Sequence, residues 1–128
     1  MQIAEDAISL SLFTDLSVLS VVGGMDYERQ KNQLKGPIDI IIATPGRLLD
    51  FCRTGVINLS RVETLIIDEA DRMLSMGFIP DVKSIISKTP AKQKRQTQLF
   101  SATFSDDIKR LAASWTLDPV RIEVEPDQ

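Results

Sequence analysis

The chain has 128 residues, enough for one compact domain with a hydrophobic core but not for two. A net charge of −3 excludes a generally basic surface, so any nucleic-acid contact must come from a local patch. The lack of histidine excludes histidine-based catalysis, and the single cysteine, Cys52, excludes an internal disulfide. Without a signal peptide or a membrane-spanning apolar run, we expect a cytoplasmic protein with no membrane partner.

Hydrophobic periodicity predicts helices that alternate with strands along the chain. Predicted helices cover residues 2–12, 26–35, 45–53, 70–76, 80–87 and 105–115. Predicted strands cover residues 18–22, 38–43, 64–67, 98–101 and 120–124. The last of these alternates apolar with charged residues, which is typical of an edge strand. The stretch 88–97 is polar and basic and is predicted to be a surface loop.

This order of elements predicts an α/β fold with a mostly parallel sheet and helices on both faces. The strand at 64–67 is apolar throughout, as expected for a strand that is covered on both faces. Trp115 lies on the apolar stripe of its helix and is predicted to be in the core, and Cys52 is predicted to be a small buried hydrophobe. Ligands of such folds bind at the carboxyl ends of the strands.

Three carboxylates, Asp68, Glu69 and Asp71, directly follow the strand at 64–67. A carboxylate in this position is costly unless it is compensated, and a hydrated Mg²⁺ ion compensates it well. A neighbouring carboxylate can then orient or deprotonate the water that attacks a phosphoryl group. The pattern also fits a simpler interpretation, in which acidic residues at a helix N-terminus complement the helix dipole.

The strand at 38–43 is followed by Thr44, Pro45, Gly46 and Arg47, with threonine as the expected helix cap and proline as the first helical residue. Exposed backbone N–H groups, the positive end of the helix dipole and an arginine together can bind a phosphate. An ordinary strand-to-helix turn remains the alternative.

Two other strand ends carry polar or flexible residues. Gly23 and Gly24 allow a ligand to approach the backbone closely, although glycine pairs also make simple turns. Ser101 and Thr103, on either side of Ala102, offer two hydroxyls, which can equally serve as capping groups.

Taken together and in order, these segments resemble the motifs of DEAD-box ATP-dependent RNA helicases. The matching segments are the pair at 23–24, IATPGRL at 42–48, LIIDEADRML at 65–74 with MGF at 76–78, and LFSAT at 99–103. The resemblance covers essentially the whole chain. It implies that residues 1–124 are the C-terminal portion of the first RecA-like motor domain and that residues 125–128 begin an interdomain linker.

The resemblance implies a role for each matching residue. Asp68 is expected to hold Mg²⁺ through water, Glu69 to activate the attacking water, and Asp71 to link the nucleotide site to the coupling motif. The expected coupling residues are Ser101, Ala102 and Thr103. The residues expected to contact the RNA backbone are Gly23, Gly24, Thr44, Pro45, Gly46 and Arg47. Backbone contacts suit an enzyme that acts on RNA without sequence preference.

The phosphate-binding motif G-x-x-x-x-G-K-[ST] does not occur in the sequence. We therefore expect a fragment of a helicase whose parent uses ATP and Mg²⁺ and whose second domain follows Gln128. The segment that reads Pro-Thr-Arg-Glu-Leu in the family is expected before Met1. The chain alone is expected to lack ATPase activity, and an unpaired sheet edge is expected to promote self-association.

Two other functions are compatible with the sequence. The chain can be a non-enzymatic RNA-binding or scaffolding remnant of the helicase fold. It can also be an unrelated α/β signalling domain that only resembles these motifs.

Overall fold

A computed structural model describes residues 17–24 and 26–124. The predicted helix at 2–12 and the predicted linker at 125–128 lie outside the described residues. The strands of the described part are β1 (Val18–Val21), β2 (Ile40–Ala43), β3 (Thr64–Ile67) and β4 (Gln96–Leu99). Its helices are α1 (Tyr27–Gln33), α2 (Pro45–Arg53), α3 (Ala70–Ser75), α4 (Ile79–Ser87) and α5 (Asp106–Trp115).

The strands pair in parallel, β1 with β2 and β3 with β4. Val18 lies opposite Ile40 in the first pair, and Thr64 lies opposite Gln96 in the second. Helices connect the paired strands, as parallel pairing requires. The predicted α/β class is confirmed, and the described strands form two separate two-stranded sheets.

The hydrophobic core consists of two clusters. The first joins β3 to α3, α4 and α5 and contains Ile67, Ala70, Ile79, Val82, Ile86, Ile108, Leu111 and Trp115. The second joins β1 to α2 and the loop after it and contains Val21, Leu49, Phe51, Ile57, Leu59 and Ile85. Helix α4 contributes to both, because its apolar side chains are spaced three and four residues apart and so cover a broad stripe. The helix therefore connects the two halves of the core.

Two predicted core residues differ in how deeply they are buried. Trp115 is 4% exposed and lies in the first cluster, as predicted. Cys52 is half-buried beside the second cluster. Burial raises the pKa of the Cys52 thiol, although the charge of Lys88 lowers it in part. The thiol is therefore protonated at neutral pH and serves as a packing group.

Two sequence predictions about strands are wrong. The segment 120–124 is not a strand, and Val120, Ile122 and Val124 are 83–90% exposed. Alternation alone does not make a strand, because the segment pairs with no partner among the described residues. The expected burial of β3 on both faces also fails, since Ile66 is 58% exposed. Leu65 and Ile67 face the helices, and Ile66 points to the opposite side.

The fourth strand begins two residues earlier than predicted, at Gln96, and ends at Leu99. Its first residues are polar, and the polar stretch 88–97 therefore predicts a loop at this position. The register with β3 explains the difference: Gln96 and Gln98 lie opposite Thr64 and Ile66, on the face that the described helices leave open. A polar residue is tolerated on such a face.

Candidate nucleotide and RNA site

The end of β3 forms a sharp turn that carries Asp68 and Glu69. Glu69 has left-handed backbone angles, φ 53° and ψ 47°, which cost a residue with a side chain about 1–3 kcal/mol. The Glu69 N–H donates to Asp68 Oδ1 at 2.8 Å, and the Glu69 carbonyl accepts from the Met73 N–H at 3.0 Å as α3 begins. Both carboxylates are exposed to solvent and are therefore accessible to a ligand.

Backbone hydrogen bonds hold the ends of β3 and β4 together at this turn. The Phe100 N–H donates to the Ile67 carbonyl at 2.8 Å, which extends the pairing one step beyond the strands. The Ala70 N–H then donates to the Phe100 carbonyl at 3.0 Å. The first residue of α3 is thus fixed to the segment that follows β4, and the acidic turn cannot shift independently of that segment.

Asp71 lies at the centre of a network with two residues that follow β4. Its N–H donates to Ser101 Oγ at 3.2 Å, and Thr103 Oγ1 donates to Asp71 Oδ2 at 3.3 Å. Desolvation alone raises the pKa of the Asp71 carboxyl. Hydrogen bonds from the Arg72 and Ala102 N–H groups and from the two hydroxyls outweigh it and hold the pKa below its ordinary value. The structure thus brings Asp71 together with Ser101 and Thr103.

This network predicts a pH-dependent contribution of Asp71 to stability. A lowered pKa in the folded state stabilises the fold above the unfolded pKa, and the contribution is lost as the pH falls through the folded pKa. Asp71→Asn should therefore lower the free energy of unfolding more at about pH 7 than at about pH 2.5, as measured by urea unfolding. Thr103→Val should reproduce part of the effect. Equal losses at both pH values would contradict the prediction.

The acidic turn fits one kind of metal site. Among the described residues, no group of three histidine, cysteine, aspartate or glutamate side chains converges to form an all-protein cage. Mg²⁺ is commonly held by one or two carboxylates while water and substrate phosphates complete its coordination. The exposed carboxylate of Asp68 fits this role, since only one of its oxygens accepts a hydrogen bond from the turn.

The ends of β1 and β2 form a second group of predicted site residues. The Thr44 N–H donates to the Val21 carbonyl at 3.0 Å, and Thr44 Oγ1 accepts from the Gly23 N–H at 3.0 Å. Thr44 and Pro45 begin α2 as predicted, but the hydroxyl of Thr44 makes no capping hydrogen bond within α2. Gly24 has φ +83°, a conformation that side chains disfavour. The turn after β1 is therefore fixed against the start of α2.

Arg47 is held by Gln30 and Tyr27, neither of which belongs to a recognisable sequence motif. Its Nη1 donates to Gln30 Oε1 at 3.0 Å, and Gln30 Nε2 donates to the Val22 carbonyl at 3.3 Å. The Arg47 guanidinium carbon lies 5.5 Å from the centre of the Tyr27 ring, a cation–π distance. Gln30 is completely buried. These contacts fix the orientation of Arg47, and its remaining N–H groups can bind an anion.

The predicted site residues thus fall into two groups. The first group follows β3 and β4 and contains Asp68, Glu69, Asp71, Ser101, Ala102 and Thr103. The second follows β1 and β2 and contains Gly23, Gly24, Thr44, Pro45, Gly46 and Arg47. No hydrogen bond or ion pair between described side chains joins the two groups. Gly46 and Ala102 are exposed.

The sequence matches the DEAD/DEAH box helicase family over residues 1–111. The chain belongs to this family. Residues 68–71, directly after β3, are the Asp-Glu-Ala-Asp run from which the DEAD-box name is read. Within the described part of this DEAD-box chain, no helix has the length and apolar character needed to cross a membrane.

Bacterial relatives resemble the DEAD-box chain over its full length. The ATP-dependent RNA helicase RhlB of Pseudomonas aeruginosa (strain UCBPP-PA14) is 55% identical over 128 residues, which cover 99% of the chain. RhlB of Shewanella amazonensis (strain ATCC BAA-1098 / SB2B) is 41% identical over 100% of the chain. The chain spans 32% of the length of the first relative and 29% of the second.

Two archaeal crystal structures share the fold. A DEAD box protein from Methanococcus jannaschii has a TM-score of 0.83 and 38% identity, and the match covers 91% of the chain and 31% of that protein. A hypothetical ATP-dependent RNA helicase from Sulfolobus tokodaii has a TM-score of 0.82 and 42% identity, and the match covers 91% of the chain and 34% of that protein. These similarities confirm the RecA-like α/β fold of the DEAD-box chain.

Proposed function

We propose that the chain is part of an ATP-dependent RNA helicase that couples ATP hydrolysis to unwinding of RNA duplexes. In this proposal, residues 1–124 are the C-terminal portion of the first motor domain, and residues 125–128 begin the linker to the second domain. The parent protein acts in the cytoplasm. The observation that carries the proposal is the hydrogen-bonded network of Asp71 with Ser101 and Thr103, next to the acidic turn.

The acidic turn has the groups needed to position the attacking water. Asp68 would hold Mg²⁺ through water, and a bound Mg²⁺ ion would neutralise charge on the nucleotide phosphates. Glu69 would orient the attacking water and accept its proton. Because the sequence has no phosphate-binding loop, the chain alone is expected to hydrolyse no ATP.

The Asp71 network can transmit the state of this turn to the segment after β4. A shift of the turn changes the backbone of α3, which includes Asp71. The backbone N–H of Asp71 is hydrogen-bonded to Ser101, and its carboxylate is hydrogen-bonded to Thr103. A movement at one strand end therefore moves the other. Such a connection can couple the nucleotide to closure of the second domain.

The second group of site residues is proposed to contact the RNA backbone. The helix start at Pro45 and Gly46 and the fixed guanidinium of Arg47 favour a phosphate, while the turn at Gly23 and Gly24 allows close approach of a sugar. None of these contacts reads a base edge, so the parent would bind RNA without sequence preference.

A remnant that binds RNA without hydrolysing ATP is the second candidate. One observation favours it: the turn after β1, the start of α2 and the anchored Arg47 all lie within the chain, whereas the phosphate-binding loop does not. The chain would then bind RNA or serve as a scaffold.

A chimera separates the two candidates. The matching segment of the Pseudomonas aeruginosa relative is replaced by the present chain, so that the relative supplies the remaining two thirds of the protein. Hydrolysis of ATP that increases on addition of RNA is the expected result. A folded chimera that binds RNA but hydrolyses no ATP would overturn the enzymatic proposal and support the remnant.

We also propose that the isolated chain associates with itself through a sheet edge. In the described part, β3 and β4 each have one unpaired edge, and Ile66 and Phe100 are more than half exposed beside them. A dimer or larger species is expected at roughly tens of micromolar, and Ile66→Lys should reduce it.

Sedimentation velocity over a range of concentrations measures this association. Leu117→Lys is the matched control, because Leu117 is similarly exposed but follows α5 and belongs to no strand. A strictly monomeric mass for the unmodified chain would contradict the proposal. So would equal effects of the two lysine substitutions.

A further inference from the structure

One short segment has a charge opposite to that of the rest of the chain. We call residues 82–95 the basic segment; it has five positive charges and neither aspartate nor glutamate. Since the whole chain has a net charge of −3, the residues outside the segment carry −8. The cations of the segment are Lys83, Lys88, Lys92, Lys94 and Arg95. Such a concentration of charge on an acidic protein favours a local anionic partner.

Arg95 fixes the basic segment to the body of the domain. Its Nε donates to Thr97 Oγ1 at 2.9 Å, and its Nη1 donates to the Pro90 carbonyl at 2.7 Å and to Thr89 Oγ1 at 3.1 Å. Its Nη2 donates to the Trp115 carbonyl, at the end of α5, at 3.1 Å. Most N–H donors of Arg95 are thus hydrogen-bonded within the protein, and the residue holds the loop between α4 and β4 in place.

The four lysines of the basic segment remain directed to solvent. Lys83, Lys88 and Lys94 are exposed, and Lys92 is half-exposed. The described part of the chain, residues 17–24 and 26–124, contains three ion pairs, and the cation of each is an arginine. None of the four lysines therefore pairs with a described carboxylate. Lys83, on α4, and Lys92, on the loop, line the same open cavity of about 510 Å³. The charges of Lys83 and Lys92 therefore converge on one surface.

The loop at the end of the basic segment lies at the end of the sheet opposite to the acidic turn. Arg95 directly precedes β4, whereas Ser101 follows its far end. A strand rises about 3.3 Å per residue, so the two ends are separated by roughly 15–20 Å. Lys92 and Lys94, which lie beside Arg95 in the loop, are therefore at the other end of the sheet from the acidic turn.

We propose that the basic segment is a second RNA-binding surface that contacts the phosphate backbone. The inference rests on the proposed action on RNA. Lysine ammonium groups neutralise phosphates without regard to sequence. A folded protein partner is less well matched, because none of the large exposed hydrophobic residues of the described chain lies in the segment. Protein interfaces depend on such apolar anchors.

Salt dependence of RNA binding by the full 128-residue chain tests the proposal. Each phosphate contact to a single strand contributes about 0.7 to the slope of log affinity against log salt. Lys92→Ala combined with Lys94→Ala should therefore reduce the slope by about 1.4 for a single-stranded RNA, measured by fluorescence anisotropy. Lys109→Ala with Arg110→Ala removes the same charge from exposed positions of α5 and should change the slope much less.

Lysine acetylation with mass spectrometry locates the contact directly. RNA should protect Lys83, Lys88, Lys92 and Lys94 but not Lys109, and the protection should persist in an Arg47→Ala variant. The Arg47→Ala variant can also keep both the protection of the lysines and its full affinity for RNA. That result would support this surface and count against the proposed RNA contact at Arg47. Lysines that react equally with and without RNA would overturn the inference. Protection by polyglutamate and not by RNA would overturn it in favour of an acidic protein partner.

Discussion

Replacement of Glu69 by glutamine in the chimera should reduce RNA-stimulated ATP hydrolysis by about 10²–10⁴-fold, the usual contribution of a general base. The side chain lies on the exposed turn after β3, beside Asp68 and one residue before α3. Its Oε2 is 3.6 Å from Arg72 Nη1, but both side chains are largely exposed, so this ion pair restrains the carboxylate only weakly. Glu69 can therefore turn toward a water on a bound nucleotide.

Glutamine is the informative replacement because it removes the charge and the basicity while it keeps the size and shape of the side chain. The left-handed backbone of Glu69 costs a similar free energy with either side chain, so the fold of the turn should be preserved. Glu63→Gln is the control, since Glu63 is exposed and lies directly before the first residue of β3, at the other end of the strand from Glu69. ATP turnover by steady-state assay should fall in the first variant and not in the second. A Glu69→Gln chimera that retains most of its turnover would exclude Glu69 as the base.

The sequence predicted those parts of the fold and site whose signals are local. Thr44 and Pro45 begin a helix because proline fits its first position, and β3 is recognisable as a continuous apolar run. The strand-end rule predicts a site at Asp71 and at the hydroxyls after β4, and the structure brings these groups together.

The sequence could not predict features that depend on distant partners. The hydroxyl of Thr44 suits a helix cap, but the Gly23 N–H, which is 21 residues away, uses it instead. The segment 120–124 has the alternation of a strand, but strand formation also depends on pairing with residues distant in sequence, and the segment pairs with none of the described strands. Gln30 gave no signal at all, because α1 is polar in sequence and a glutamine there is expected to face solvent.

Loss of the Arg47 side chain, which Gln30 holds in place, is expected to have a large effect on RNA affinity. Arg47→Ala in the chimera should remove a charged hydrogen bond to phosphate worth about 1.5–3 kcal/mol, which corresponds to a loss of roughly 10- to 100-fold. The loss should be the same for RNAs of different sequence, because a phosphate contact carries no sequence information. Fluorescence anisotropy with several unrelated single strands measures it. A loss confined to some sequences would contradict the backbone contact.

Gln30→Leu should reproduce part of that loss without touching the RNA. The buried amide accepts from Arg47 and donates to the Val22 carbonyl, so leucine would release the guanidinium and leave the carbonyl without its donor. The unsatisfied group should lower the free energy of unfolding by about 1–3 kcal/mol, measured by urea unfolding. Gln33→Leu, at an exposed position of the same helix, should alter neither quantity. If Gln30→Leu destabilises the protein but leaves RNA affinity intact, Arg47 does not need its anchor, and the contacts of Gln30 serve the fold alone.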